Sequence, residues 1–370
     1  NADIIKAIYD KHSFVYGMEY VINQVVSEGY ATDIRLNTVL PAPSRYPKST
    51  WQSAAGYIQY EFNPTEKFNY QLGGRYNIYQ LHSDFDTTFY KFPFTEADLN
   101  NASFTWNTGV YYHPKDFVLL HFNTGTAFRS PNVDDIGKVF DSEPGAVTVP
   151  NPDLKAEQAF NMDGGVKFKV KNIFKADLSG FYVLLNNALV RRDFQFNGKD
   201  SILYDGVMSK VQAIQNAAKA LVYGAIASIR VNLPSGFYAN SNVSWQYGEE
   251  IVDNVKSPFR HAPPLFGTAG VGYSNEKVEV RLYSHFQDEK SAQEMPVEEK
   301  GKDEIYAHDA NGNTYSPAWY TLNLKAQMRV TDNLEVIAGV ENITDRRYRP
   351  YSSGVSAAGR NFVMSLKLGF

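Results

Sequence analysis

The residues best equipped for chemistry fall in a few short runs. His82-Ser83-Asp84-Phe85-Asp86 sets an imidazole and two carboxylates at alternate positions, so an extended backbone puts all three on one face. Such a trio could activate water as a hydrolase does, although polar residues at a strand end need no catalytic role. Asp309, Asn311 and Asn313 alternate like the opening of a calcium loop. Thr314 stands where that loop needs glycine, however, and Tyr320 where it needs a closing glutamate. Tyr306 and His308 combine a phenol with an imidazole, a donor pair suited to ferric iron. Arg346, Arg347, Arg349 and Arg360 could recognise an oxyanion such as a lipid phosphate or a ligand carboxylate. Pairing with neighbours such as Asp345 accounts for them equally well. Phe128-Arg129-Ser130-Pro131 and Asn151-Pro152-Asp153-Leu154 form two stiff loop shoulders, because each proline fixes its own φ and holds its predecessor extended. Arg129 is expected to meet Asp153 across that loop's mouth, as loop closure or as a ligand contact. There is no cysteine, which excludes thiolate nucleophiles, thiolate metal sites and disulfides. The chain also has no phosphate-cradling P-loop and no nucleophile elbow.

Strands must position these groups, because alternation is the dominant pattern. Phe362, Met364, Leu366, Leu368 and Phe370 share one face, opposite Asn361, Ser365, Lys367 and Gly369, with Val363 the misfit. Tyr320, Leu322, Leu324, Ala326, Met328 and Val330 likewise oppose Thr321, Asn323, Lys325, Gln327 and Arg329. Val278, Val280, Leu282 and Phe286 oppose Lys277, Glu279, Arg281 and His285. Val118, Leu120, Phe122 and Phe128 oppose His121, Asn123 and Gly125. About fourteen such segments of roughly 10–15 residues are present. Strands of soluble proteins typically run about 5–6 residues, whereas a tilted strand crosses a bilayer in about 9–11. No run approaches the ~18 apolar residues of a membrane helix, and the mean hydropathy is −0.38. The reading is all-β, an antiparallel transmembrane barrel.

Short turns alternate with long loops. The short ones centre on residues 63–66, 114–116, 171–172, 234–236 and 331–333; the long ones cover roughly 24–50, 86–102, 129–155, 191–218, 252–263, 288–317 and 345–360. Outer-membrane barrels keep short turns in the periplasm and long loops outside, so recognition belongs to the loops and the inward rows. The 25 tyrosines and 24 phenylalanines exceed what a soluble domain needs. Tyr57 with Tyr60, Tyr111 with Tyr112, Phe181 with Tyr182, Trp319 with Tyr320, and Phe362 with Phe370 stand near strand ends, where rings settle at lipid headgroups. The 36 basic and 40 acidic side chains give no footprint for nucleic acid. Among the histidines, His121 and His285 fall on polar rows, His12 and His113 near the short turns, and His82, His261 and His308 at the long-loop end.

The two boxes resemble the paired boxes of TonB-dependent outer-membrane receptors of the haem and haemoprotein uptake group. The closing segment resembles the same superfamily: Gly339-Val340-Glu341-Asn342-Ile343-Thr344-Asp345, Tyr348-Arg349-Pro350-Tyr351, Gly359-Arg360-Asn361-Phe362 and the terminal Phe370. Arg45-Tyr46-Pro47, the run from Pro131 to Phe140, His261-Ala262-Pro263-Pro264 and the run from Asn313 to Leu322 are similar to the Bacteroidetes branch.

The resemblance implies an outer-membrane receptor, not an enzyme, for haem or an iron complex, with that cargo transported and no resident cofactor. It implies energy from the TonB complex and a barrel of about 22 strands with a plugged lumen. The arginine cluster is the expected contact for lipopolysaccharide, and a surface lipoprotein is a further expected partner that leaves no trace in the sequence. Residues 1–370 are then a partial barrel, the C-terminal part, without the plug. Cargo contacts are expected at Phe128, Arg129, Ser130, Pro131, Asn151, Pro152, Asp153 and Leu154. In the haem receptors a histidine between the boxes ligates iron; none stands between Pro131 and Pro150 here, which makes His308, beside Tyr306, the replacement ligand. Ferric-siderophore, cobalamin or glycan uptake, a passive fourteen-stranded channel and a rim-site protease at His82 are the alternatives.

Overall fold

Strands run from near the first residue to near the last. The computed structural model describes residues 1–369 apart from Pro93, 138–140, Pro144, Asp205, 253–254 and the side chains of 141–143 and Glu298. The expected terminal aromatic Phe370 and the end of the Pro131–Phe140 run therefore lie outside the described residues.

Among the described residues, fifteen strands build the wall. They are β1 (Ala2–Ile8), β2 (His12–Val25), β3 (Lys48–Thr65), β4 (Phe68–Asp84), β5 (Glu96–Lys115), β6 (Val118–Arg129), β7 (Glu157–Val170) and β8 (Phe174–Asp193). They continue as β9 (Val207–Asn232), β10 (Phe237–Val252), β11 (Phe266–Ser274), β12 (Val278–Gln287), β13 (Trp319–Thr331), β14 (Leu334–Glu341) and β15 (Asn361–Leu368). Each pairs antiparallel with the next in one unbroken meander. The expected count of about fourteen falls one short because β1, with Ile4 and Ile5 adjacent, has no clean period of two. Turns at residues 9–11 and 275–277 join the five expected short ones.

The outward face is apolar. Tyr16, Met18, Tyr20 and Ile22 on β2, Tyr76 and Ile78 on β4, Leu120 and Phe122 on β6, and Leu324, Met328 and Val330 on β13 are all exposed. A soluble protein would cover such rows; a bilayer covers them here. The inward face is polar, as in barrel lumens: Arg75 pairs with Glu19 at 2.7 Å, and Tyr111 donates to Asn123, whose amide donates to Asp163. His121 and His285 lie in these inward rows, as expected, each against a tyrosine ring.

Adjacent residues of a strand cannot both face lipid, which corrects the aromatic pairs. Tyr320 and Phe362 are outward and exposed. Tyr57 instead turns inward to hydrogen-bond Asp3, and Tyr111 inward to Asn123. Outward rings do form belts: Phe14, Tyr60 and Phe62 with His12 near the short turns, and Tyr223 against Trp245 and Tyr247 further up.

Among the described residues β1 pairs only with β2 and β15 only with β14. Both edge strands are exposed at every position. In a meander of fifteen, the first and last strands run in the same direction, so the two edges cannot close on each other by an antiparallel ladder. At the long-loop end β9 reaches 26 residues, far beyond the roughly 9–11 that cross a bilayer, so its upper half stands above the membrane as a wall for loops.

Candidate functional site

Loops gather at that tall rim, and each expected residue can be placed there. The loop after β6 opens with the short helix α1 (Val133–Gly137). Asn132 caps it, its side-chain oxygen accepting the backbone N–H groups of Asp134 and Asp135. Val133, Ile136 and Leu154 bury against Leu81 and Leu99 of the wall, with Trp51, Leu189 and Ile214 packed around them. Apolar inward residues at the mouth thus seat the loop.

The two boxes close that loop, but not through the expected ion pair. Arg129 grips Asp135 with one amino group, at 2.7 and 2.8 Å, and Glu157 with the other at 2.8 Å. Asp153 is exposed, and its backbone N–H is held by the Asn151 side chain. Arg129 follows the nearer carboxylates: Asp135 is fixed on α1, and Glu157 is paired opposite Arg129 in the β6–β7 ladder. Asn151 donates from its amide to Ile214 O and from its backbone to Ile136 O. Pro131, Asn151 and Leu154 are buried, while Phe128, Ser130 and Pro152 are half-buried. Phe128 meets the Tyr79 ring edge-on, with centroids 5.1 Å apart.

A second node lies under the loop between β12 and β13. Glu299 is buried, 1% exposed, and accepts Arg260 at 2.7 Å, Lys302 at 2.9 Å and Tyr306 at 2.6 Å. Burial opposes ionisation of Glu299, but hydrogen bonds from Tyr306, Lys302 and Arg260 outweigh it and hold the carboxyl below its ordinary range. Burial, then the bond to Glu299, raises the Tyr306 phenol. Its hydroxyl is therefore occupied, and Tyr306, 7% exposed, packs beside Met295 and Tyr351. Glu299 is absent from the residues that sequence reasoning singled out. A glutamate in a polar loop carries no periodic signal, and its three partners come from two loops.

His308 is exposed, with Nε2 at 3.1 Å from Asp303. It opens a small hairpin, Ala307–His308 with Thr314–Tyr315. The Asp309 carboxylate closes that hairpin on the N–H groups of Asn311 and Asn313. These bonds, the Asn313 side chain's first, hold Asp309 below the usual carboxylate range. The calcium-like spacing is thus a turn that satisfies itself.

His82 pairs with Asp98 at 2.8 Å and with Asp84 at 3.3 Å, and Glu96 lies close enough to complete a three-ligand cluster with His82 and Asp84. Asp86 turns away to Thr88. All four clustered residues stand on the exposed outward row above Ile78. The expected His82–Asp84–Asp86 trio is therefore not assembled. A cavity of about 620 Å³ does exist on the inward face at the short-turn end, among Lys167, Arg230, Tyr238 and Glu279. It lies at the opposite end from the loops.

The closing motif proves to be a clasp. Asn342, buried with φ 48°, accepts the N–H of Arg346 and donates to the carbonyls of Arg346 and Ala358. Asp345 accepts the N–H of Arg360, and Arg360 donates from Nε to Ile343 O. A Cβ at Gly359 would stand 2.6 Å from the Asp345 carboxylate, so a side chain there would have to displace the group that accepts the Arg360 N–H.

An up-and-down wall, apolar outside, polar inside, with short turns at one end and packed loops at the other, defines an outer-membrane-type β-barrel. Residues 4–343 match the family described as TonB dependent receptor-like, beta-barrel, and the chain belongs to that family. Its members are transporters and receptors that work with TonB. The chain is 24% identical over 347 residues to hemoglobin-haptoglobin utilization protein B of Neisseria meningitidis, covering 86% of this chain and 41% of that protein. It is 25% identical over 289 residues to the hemoglobin and hemoglobin-haptoglobin-binding protein of Haemophilus ducreyi, covering 70% of this chain and 28% of that one. Among solved structures, the copper transporter OprC superimposes with a TM-score of 0.77 at 15% identity, over 98% of this chain and 55% of that chain. The unliganded ferric citrate transporter FecA gives 0.71 at 17% identity, over 99% and 53%. At such identities the structures share the fold alone. The chain spans less than half the length of these curated relatives and about half of these solved chains.

Proposed function

We propose that the chain is the C-terminal part of the barrel of a bacterial outer-membrane receptor that takes up haem, or another iron complex, under TonB control. The observation that carries this reading is the similarity, across 86% of the chain, to a relative named for haemoglobin–haptoglobin utilisation. The tall loop rim supports it, because recognition of a large cargo needs an elevated, shaped surface rather than a bare pore. Residues 1–370 act as a partial barrel. The two exposed edge strands support further strands beside them, and the polar inward rows support a plug domain between barrel and TonB. The proposal extends to a surface lipoprotein as a further partner at the rim.

Cargo is met by the loops. Arg129, Ser130, Pro152, Asp153 and Phe128 line the reachable part of the box loop, while Pro131, Asn151 and Leu154, being buried, set its shape. His308 is the iron ligand among the exposed loop residues, and Tyr306 holds its loop in place through Glu299. Purified full-length receptor titrated with hemin tests the cargo. A saturable Soret shift at micromolar hemin and capture of haemoglobin are expected. No Soret shift, with a ferric siderophore binding instead, removes haem in favour of the siderophore alternative.

A further inference from the structure

We propose that the pocket between the last loop and the 304–319 segment is an oxyanion site that holds a phosphate of an outer-leaflet glycolipid. The cavity, about 360 Å³, is walled by Ile305, Ala307, Pro317, Ala318, Trp319, Tyr348 and Pro350, and three arginines close it. Its size is within the range of small-molecule sites.

The arginines are not equivalent. Arg349 is fixed, with Nη1 donating to the carbonyls of Glu304 and Ile305, both at 2.6 Å. Its buried Nε–H has no partner. Arg346 lies 5.4 Å from the centre of the outward Tyr320 ring and reaches Ala318 O at 3.4 Å. Arg347 is exposed and has no hydrogen-bond or ion-pair partner among the described residues. The Trp319 and Tyr348 rings lie tilted against each other with centroids 4.3 Å apart, and the buried indole N–H of Trp319 also lacks a partner. Glu304 is the only acidic residue of the lining, and its carboxylate pairs with none of the three guanidinium groups among the described residues.

Buried donors are normally satisfied, and two unpaired N–H groups around one cavity, with one uncommitted guanidinium beside them, call for an acceptor carrying negative charge. The apolar walls suit an amphiphile rather than a free ion. The position selects the source. Tyr320 heads the exposed outward row of Leu324, Met328 and Val330, so the Arg346 edge of the pocket stands where lipid headgroups lie. Haem carboxylates share the same chemistry and are the competing source. The site assignment rests on the outer-membrane reading of the barrel but not on haem as cargo.

The test is native mass spectrometry of the full-length receptor with bisphosphorylated lipid A, its dephosphorylated form, inorganic phosphate and hemin as probes. Expected are retained adducts with phosphorylated lipid A only, displacement by millimolar phosphate but not by hemin, and about fivefold less adduct in Arg347→Gln, the equivalent of one charged contact of ~1 kcal/mol. Trp319→Phe is expected to weaken the adduct as well. If that variant misfolds, the surface substitution Arg347→Gln decides alone. Equal retention of dephosphorylated lipid, or an unchanged adduct in Arg347→Gln, overturns the site. Displacement by hemin overturns the lipid as its occupant. A Soret titration of the same preparation reports separately on haem, so loss of one reading is distinguishable from loss of the other.

Discussion

Tyr306 donates its hydroxyl to the Glu299 carboxylate at 2.6 Å, and this buried bond ties the longest loop to itself while Arg260 ties the same carboxylate to the loop before it. Removing the acceptor strands three donors at once. Glu299→Ala is expected to cost about 3 kcal/mol of local stability, the lower end for a broken buried ionic network, because Arg260 and Lys302 can regain water. Limited proteolysis should then cut within residues 288–317 while the barrel keeps its heat-modifiable mobility on gels. An uncut loop would show that the node is dispensable.

The same carboxylate sets a pH window. Its folded-state value lies below the ordinary 4.5, so the node's contribution is fully present above 4.5 and is lost as pH falls through the depressed value. Hydrogen exchange in residues 288–317, taken relative to the intrinsic amide rate at each pH, should stay flat from pH 7 down to about 4.5 and rise below it. A rise beginning near pH 6 would point to histidine instead.

Arg129 bridges α1 and β7, and its fork geometry matters as much as its charge. Being half-exposed, with the guanidinium screened by water, it contributes only about 1 kcal/mol to the seating of the loop. Arg129→Gln should weaken haemoglobin capture about fivefold, and Arg129→Lys should not restore it, since one ammonium cannot hold two carboxylates in this arrangement. Full rescue by lysine would leave charge alone as the cause.

Buried Asn342 fills four hydrogen-bonding roles, counting its own N–H, which Asn323 accepts. Asn342→Ala keeps the backbone bond to Asn323 but strands the N–H of Arg346 and the carbonyls of Arg346 and Ala358 at about 1–3 kcal/mol, and Gly359→Ala drives a methyl into Asp345. Both variants should refold from urea with a lower midpoint. Thr344→Ala, at an exposed position of the same motif, should not.

Much of this was readable in the chain because lipid imposes a strict period. Rows such as Leu324, Met328 and Val330 need no tertiary knowledge to be assigned outward. The period fails where lipid does not act. β1 has adjacent isoleucines, and Asn151 of the second box and Lys155 just after it find their partners, Ile214 and Asn216, on a strand some sixty residues further along. Arg129 shows the same limit. Sequence nearness across the loop favoured Asp153, yet ladder register decided for Glu157, and register is fixed by the whole pair of strands.

His308 and Tyr306 stand two residues apart but in opposite environments, one exposed and one buried. If His308 ligates iron, His308→Ala should abolish the Soret shift with hemin while leaving loop proteolysis as in the wild type, because its one close partner, Asp303, is itself exposed. Tyr306→Phe should do the reverse. It removes a donor from Glu299 and so increases cleavage in the loop, while the Soret maximum keeps its position, since a buried phenol already committed to a carboxylate is no iron ligand. A Soret maximum that moves in Tyr306→Phe and persists unchanged in His308→Ala would exchange the two roles, and would require the loop to open when cargo binds.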